Sequence, residues 1–255
     1  MSNTEQNSRR NFLKKAAFGA AAFSAPQFIM PVSASAAKAK KIALNPNNVI
    51  LFQGDSITDS RRDKNNADFN DAQALGNGYA FHAAAELLYN TPSKGLKIYN
   101  KGISGNKVYQ LAERWESDCL QLKPDVLSIL IGVNDFWHTL NGNYNGTIEK
   151  YRSDFTALLE RTKKELPNVK LIIGEPFAVK DVKAVNEKWF PAFHEYRTAA
   201  REIAEKFNAV FVPYQSVFDK AQKSAPGSYW TRDGVHPTIA GAKLMADAWL
   251  KAVKG

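Results

Sequence analysis

Two short segments far apart in the chain hold residue types that together can cleave an acyl bond. The first is Gly54-Asp55-Ser56-Ile57-Thr58, which directly follows an apolar run. A serine on a tight strand-to-helix turn presents its hydroxyl, and its own N–H stands at the helix start as a donor to a nearby oxyanion. The spacing is not that of the G-x-S-x-G nucleophile elbow. The second segment is Asp233-Gly234-Val235-His236-Pro237, near the C-terminus. An aspartate three residues before a histidine, with a glycine between, can turn its carboxylate onto the imidazole Nδ1. That contact would fix the tautomer and leave Nε2 for the serine. Each segment alone has a plainer role, as a helix N-cap serine or as an N-cap aspartate beside a surface histidine.

Two further loops could hold the oxyanion. In Asn100-Lys101-Gly102-Ile103-Ser104-Gly105-Asn106, Gly105 lets a backbone N–H approach a ligand with no side chain in the way. In Gly132-Val133-Asn134-Asp135, the Asn134 carboxamide is a donor of the kind that serves oxyanion holes. Read singly, these are a glycine loop and a turn asparagine. Asp55 and Asp135 flank the site residues and read as structural hydrogen-bonders, not acids in a reaction.

The elements needed to position four such loops are legible. Residues 48–53, 96–100, 125–131, 169–173 and 209–212 are short apolar, β-prone runs. Residues 78–90, 147–166, 191–207 and 237–253 have helical spacing, the last with Pro237 in its first turn. Continuous apolar strands alternating with helices predict a parallel sheet covered on both faces: one three-layer α/β/α domain of about five strands, over residues 48–255. In such sheets ligands bind beyond the carboxyl ends of the strands, and Ser56, Gly105 and Asn134 each follow one.

The chain has 255 residues, 44% hydrophobic and 23% charged, which suits a soluble globular fold and excludes a multi-span membrane protein. A single cysteine, Cys119, excludes an intramolecular disulfide and a multi-cysteine zinc site. The four histidines, His82, His138, His194 and His236, lack ligand-like spacing such as H-E-x-x-H, so a zinc hydrolase is not expected, and no cofactor motif is found. The net charge is +9, of which +3 falls in residues 1–36. The remaining lysines are spread along helical stretches, and no arginine-rich arm or aromatic RNA-binding motif predicts a nucleic-acid partner. A homo-oligomer is compatible with the sequence.

The first 36 residues read as an address. Ser8-Arg9-Arg10-Asn11-Phe12-Leu13-Lys14 precedes a mildly apolar run, and Ala34-Ser35-Ala36 is an A-x-A cleavage pattern. The paired arginines resemble the twin-arginine export signal, which implies that export machinery as a partner and a periplasmic or extracellular destination. The apolar run is shorter than the roughly 20 residues needed to span a bilayer. It ends without a cysteine for lipid attachment. Residues 37–47 read as a loose lead-in.

Taken together and in order, GDSIT, the glycine of GISGN, the asparagine of GVND and DGVH resemble the four blocks of the SGNH (GDSL) hydrolases, over roughly residues 48–250. The resemblance implies Ser56 as nucleophile, His236 as general base and Asp233 as its partner. It implies an oxyanion hole made of the Ser56 N–H, the Gly105 N–H and the Asn134 side chain, a flavodoxin-like sheet, and no metal. The runs NKGISGN, ERWESD, KPDVLSILIGVNDFW and RDGVHP further resemble bacterial acetylxylan esterases within that superfamily. This implies an O-acetylated saccharide as substrate. Residues 177–188 match no part of that pattern and are expected to border the pocket.

Aromatic side chains could receive a sugar ring. Trp137, Trp189 and Trp230 lie near the catalytic motifs and are candidate substrate-binding residues, while Trp115 reads as core. Two other functions fit part of the pattern. A lysophospholipase or thioesterase would use the same chemistry on longer acyl chains, although the loops at 141–146 and 180–188 are polar. A secreted, non-catalytic saccharide-binding protein is a third reading, opposed by the intact Ser56, Asp233 and His236.

Overall fold

Five strands carry the site, and the computed structural model, which describes residues 41–254, aligns their carboxyl ends. β1 (Ile42–Ala43) stands apart; the main sheet consists of β2 (Val49–Gly54), β3 (Lys97–Asn100), β4 (Val126–Leu130), β5 (Lys170–Gly174) and β6 (Val210–Val212). All pairings are parallel, in the order β3-β2-β4-β5-β6. Counted within the sheet this is the flavodoxin-like order 2-1-3-4-5. In register, Gly54 lies opposite Leu130, Leu130 opposite Gly174, and Gly174 opposite Val212. Four strand ends therefore stand level, and their following loops leave at one edge. The strand order reverses beside β2, the crevice position for ligands in such sheets, and Ser56 follows β2.

The helices are α1 (Ser56–Asp59), α2 (Ala72–Leu75), α3 (Tyr79–Asn90), α4 (Val108–Glu113), α5 (Val133–Leu140), α6 (Ile148–Glu165), α7 (Phe193–Lys206), α8 (Tyr214–Ala221), α9 (Gly227–Trp230) and α10 (Ile239–Leu250). α10 packs against α3 and α8, and α6 packs against α4 and α7, giving helical layers that cover the sheet. The strands need both covers: every residue of β4 is buried, and Ile50, Leu51 and Phe52 of β2 have no exposed surface. Indole N–H groups that enter this core find partners, Trp249 on Ser128 Oγ at 2.9 Å and Trp115 on Thr162 Oγ1 at 2.9 Å.

Two expectations change. The lead-in is not loose over its described part. Ile42 and Leu44 are buried, and β1 pairs in parallel with β7 (Val253–Lys254). Correspondingly, the last helix starts at Ile239, capped by the Thr238 side chain, and stops at Leu250 so that Val253 can enter that small sheet. The export signal and its cleavage pattern lie outside the described residues.

Candidate active site

The loop after β2 is fixed first. Asp55 is the N-cap of α1, its Oδ1 accepting the Ile57 N–H at 3.0 Å. Ser56 thus becomes the first helical residue, with a backbone N–H that has no intrahelical acceptor. The loop after β3 is tied onto it: Ser104 donates from both N–H and Oγ to Asp59 Oδ2, and Ile103 N–H donates to Gly54 O at 3.1 Å. Arg114 extends the tie, with Nε on Asn106 Oδ1 at 2.9 Å and Nη1 on Gln53 Oε1, the Lys101 carbonyl and Asp118. The loop after β4 joins through the Asn134 carboxamide, which donates to Asn106 O at 3.2 Å, and through Asp135 Oδ1, which accepts from Val108 N–H at 3.1 Å. Asn134 is not in a simple turn but in the first turn of α5, with Gly132 as N-cap.

Gly105 adopts φ +81°, and a Cβ built there would meet nothing within 4 Å. Its neighbourhood is open space, and its backbone conformation is one that side-chain-bearing residues rarely adopt. The three predicted oxyanion donors therefore belong to three loops bound to one another by hydrogen bonds.

The C-terminal motif meets the first loop across 180 residues. Ser56 Oγ lies 2.8 Å from His236 Nε2, and His236 Nδ1 lies 2.7 Å from Asp233 Oδ2. The remaining oxygen, Asp233 Oδ1, accepts the backbone N–H of Val235 at 3.0 Å and of His236 at 2.8 Å. Burial alone would raise the Asp233 pKa; the His236 ring and these two N–H donors outweigh it and bring it down to about 2. The carboxylate is ionised at any working pH and can stabilise an imidazolium. A hydroxyl bonded to an imidazole whose far nitrogen faces a fixed carboxylate can attack a carbonyl carbon.

Asp55 and Asp135 behave differently. Burial pushes both up to about 7, outweighing the backbone N–H donors (Ile57 for Asp55, Val108 for Asp135), and the Oδ2 of each has no protein partner. Cys119 is buried, and desolvation raises its thiol to about 12, so it offers no second nucleophile.

Residues 177–188 border the site, as expected. Val179 N–H donates to Gly234 O at 2.7 Å and Ala184 N–H to Asp233 O at 3.1 Å. Gly234, at φ +95°, leaves no room for more, since a Cβ there would lie 2.5 Å from Val185 Cγ2. The segment thus clamps the turn that carries Asp233 and His236.

The tryptophans separate. Trp137 is half-buried, with its ring 6.2 Å from the His236 ring. Trp189 corrects the expectation of a sugar platform. It is 1% exposed, wedged among Phe136, Trp137 and Phe193, with its indole N–H on Ala184 O, and so offers no face to a ligand. Trp230 is half-buried and spends its N–H on the Ala221 and Ala225 carbonyls; it does not line the cleft beside Ser56.

That cleft, of about 280 Å³, opens between Ser56 and His236 and runs past Ser60, Arg61, Asn77, Arg232 and Ile239. It continues toward Ser104 and Lys183. Sequence reasoning placed Lys183 only within a segment bordering the pocket and missed the other wall residues. Arg232 stands beside Asp233 and could have been noticed, whereas Arg61, Asn77 and Lys183 belong to loops without periodicity.

Residues 52–244 match the GDSL-like lipase/acylhydrolase family. An acetylxylan esterase of Geobacillus stearothermophilus is 34% identical over 206 residues, which is 80% of this chain and 93% of that one. Among solved structures, a Parabacteroides merdae protein described as a GDSL-like lipase is 54% identical, with a TM-score of 0.82 over 83% of this chain and 98% of that one. The G. stearothermophilus esterase matches with a TM-score of 0.74 at 31% identity, over 82% of this chain and 95% of that one. Structures described as catalytic mutants of that esterase replace a serine, a histidine or an aspartate by alanine. The chain belongs to the GDSL-like lipase/acylhydrolase family and is a carboxylic ester hydrolase of the acetylxylan esterase-like kind.

Proposed function

We propose that this esterase removes O-acetyl groups from carbohydrate by way of an acetyl-enzyme. The observation that carries the reading is the continuous chain Ser56 Oγ, His236 ring, Asp233 carboxylate, with contacts of 2.8 and 2.7 Å. His236 Nε2 takes the Ser56 proton as Oγ attacks the acetyl carbonyl. The oxyanion is held by the N–H groups of Ser56 and Gly105 and by the Asn134 carboxamide. As the tetrahedral intermediate collapses, His236 protonates the departing sugar oxygen, then takes a proton from a water whose attack releases acetate from Ser56. Similarity to acetylxylan esterases supports the acetylated saccharide. The cleft's modest size, and the polar Ser60, Arg61, Asn77 and Arg232 in its walls, also favour a short acyl group over a lysolipid or thioester chain.

The twin-arginine resemblance of residues 8–14 supports export before action on extracellular polysaccharide. Replacing Arg9 and Arg10 by lysine should hold the protein in the cytoplasm. Export unaffected by that change would remove the twin-arginine route.

The test of function is acetate release from acetylated xylan beside a chain-length series of nitrophenyl esters. Acetate from wild type but not from Ser56→Ala, with preference for the acetyl ester, supports the reading. Preference for acyl chains of eight carbons or more would move the protein to the lysophospholipase or thioesterase class, and failure to cleave any ester would revive the binding-protein reading.

A further inference from the structure

The described residues contain eight arginines, and six are committed. Arg62 donates to Gly102 O and Arg114 to its network; Arg152, Arg161 and Arg197 pair with Glu202, Glu116 and Glu175; Arg201 lies over the Phe211 ring. Arg61 and Arg232 have no such partner, and both line the cleft that opens on Ser56 and His236. A third cation, Lys183, lines its extension and is also unpaired. The one carboxylate in these walls is Asp233, whose oxygens are taken by the His236 ring and two backbone N–H groups.

The backbone adds a second observation. Ser60, Arg61 and Lys183 have φ of 41°, 62° and 43°, in the left-handed region that non-glycine residues seldom occupy. Such strain persists where surrounding structure enforces it, and it concentrates at ligand clamps. Here it delivers two of the three cations to the cleft walls. A neutral acetylated sugar gives a guanidinium only uncharged oxygens, whereas a carboxylate matches its planar fork with two charge-assisted hydrogen bonds.

We propose that the acetylated saccharide carries a carboxylate, in a uronic acid unit, and that Arg61 and Arg232, with Lys183, hold it beside Ser56. The inference rests on the acetylesterase reading and narrows its substrate to an acidic saccharide. Attraction through exposed cations acts mainly on capture, so it should appear in kcat/KM and weaken with salt.

The test compares acetylated xylotetraose with the same oligosaccharide bearing one glucuronate branch. In wild type at ~10 mM salt, kcat/KM should favour the acidic substrate by roughly three- to tenfold, as two partly solvated ion pairs can supply. The ratio should fall toward one at ~1 M salt, where the Debye length is about 3 Å. It should also fall toward one in Arg61→Gln/Arg232→Gln. Should the double variant misfold, each single variant and the salt series read the same quantity. Equal rates on the two substrates in wild type at low salt, or an undiminished preference in the variants, would overturn the inference and leave the acetylesterase reading standing. Cleavage of nitrophenyl acetate with neither saccharide touched would overturn both.

Discussion

Asp233 holds His236 by both ends of one residue: its Oδ2 lies 2.7 Å from the ring Nδ1, and its Oδ1 accepts the same residue's backbone N–H at 2.8 Å. The carboxylate therefore sets the position of the histidine main chain and the tautomer of its ring together. Asp233→Asn would present a carboxamide in the same place and could offer Nδ1 a donor in place of an acceptor. Turnover should fall by roughly 10³–10⁴-fold while melting temperature changes little. Steady-state kinetics beside a thermal scan checks this. Near-normal turnover would remove Asp233 from the mechanism.

Asn134 should matter to the transition state more than to binding. Its carboxamide donates to Asn106 O at 3.2 Å, so one N–H is structural and the other is available to an oxyanion. Asn134→Ala should lower kcat by roughly 10²–10³-fold with a much smaller change in KM. A loss confined to KM would assign Asn134 to substrate binding instead.

The buried acids predict an unusual pH dependence of stability. Burial raises Asp55 and Asp135 to about 7 in the folded protein, above an ordinary carboxyl value of 3.8. The folded state then holds more protons than the unfolded state between those values, so stability should decline as pH rises from about 4 to 7. Asp233 acts oppositely, being depressed to about 2, and its contribution is lost as pH falls from about 4 toward 2. Urea midpoints measured at steps from pH 3 to 8 should show the decline toward neutrality, and Asp135→Asn should flatten it. A wild-type midpoint rising through that window would contradict the assignment.

Trp189 and Trp137 touch, with ring centroids 5.5 Å apart, yet they should fail in different ways. Trp189→Ala empties a fully packed site and should cost about 3–5 kcal/mol of stability in urea unfolding. Trp137→Ala, beside the His236 ring, should instead lower kcat/KM on an acetylated oligosaccharide by about two- to tenfold, the scale of one aromatic contact. Equal saccharide kinetics in Trp137→Ala and wild type would remove the stacking role.

Much of this arrangement is legible in the chain, for reasons that particular residues make plain. Strands buried on both faces need no alternation, so continuous runs such as VLSIL of β4 stand out. The loops that carry Ser56 and Asn134 follow strand ends that stand level, so the sheet rule finds them, whereas the Asp233–His236 turn follows α9 and is found by motif order. Other features leave no periodic signal. β1 and β7 are two residues each, too short for a pattern. α5 begins at a glycine cap and puts Asn134 and Asp135 in its first turn, so its sequence reads as a turn. Trp189 looked like a platform because distance along the chain does not reveal which face of a ring is covered. Arg61 reaches the cleft through a left-handed backbone that its residue type does not announce.

The central claim is that acetyl passes through Ser56. Its most direct measurement is intact-protein and peptide mass spectrometry on enzyme quenched during turnover of an acetylated xylooligosaccharide. The account predicts a single added acetyl group located on Ser56, present in wild type and absent from Ser56→Ala, which should also release no acetate above background. Acetate released at full rate by Ser56→Ala, or acetyl found on another residue of a working enzyme, would contradict it.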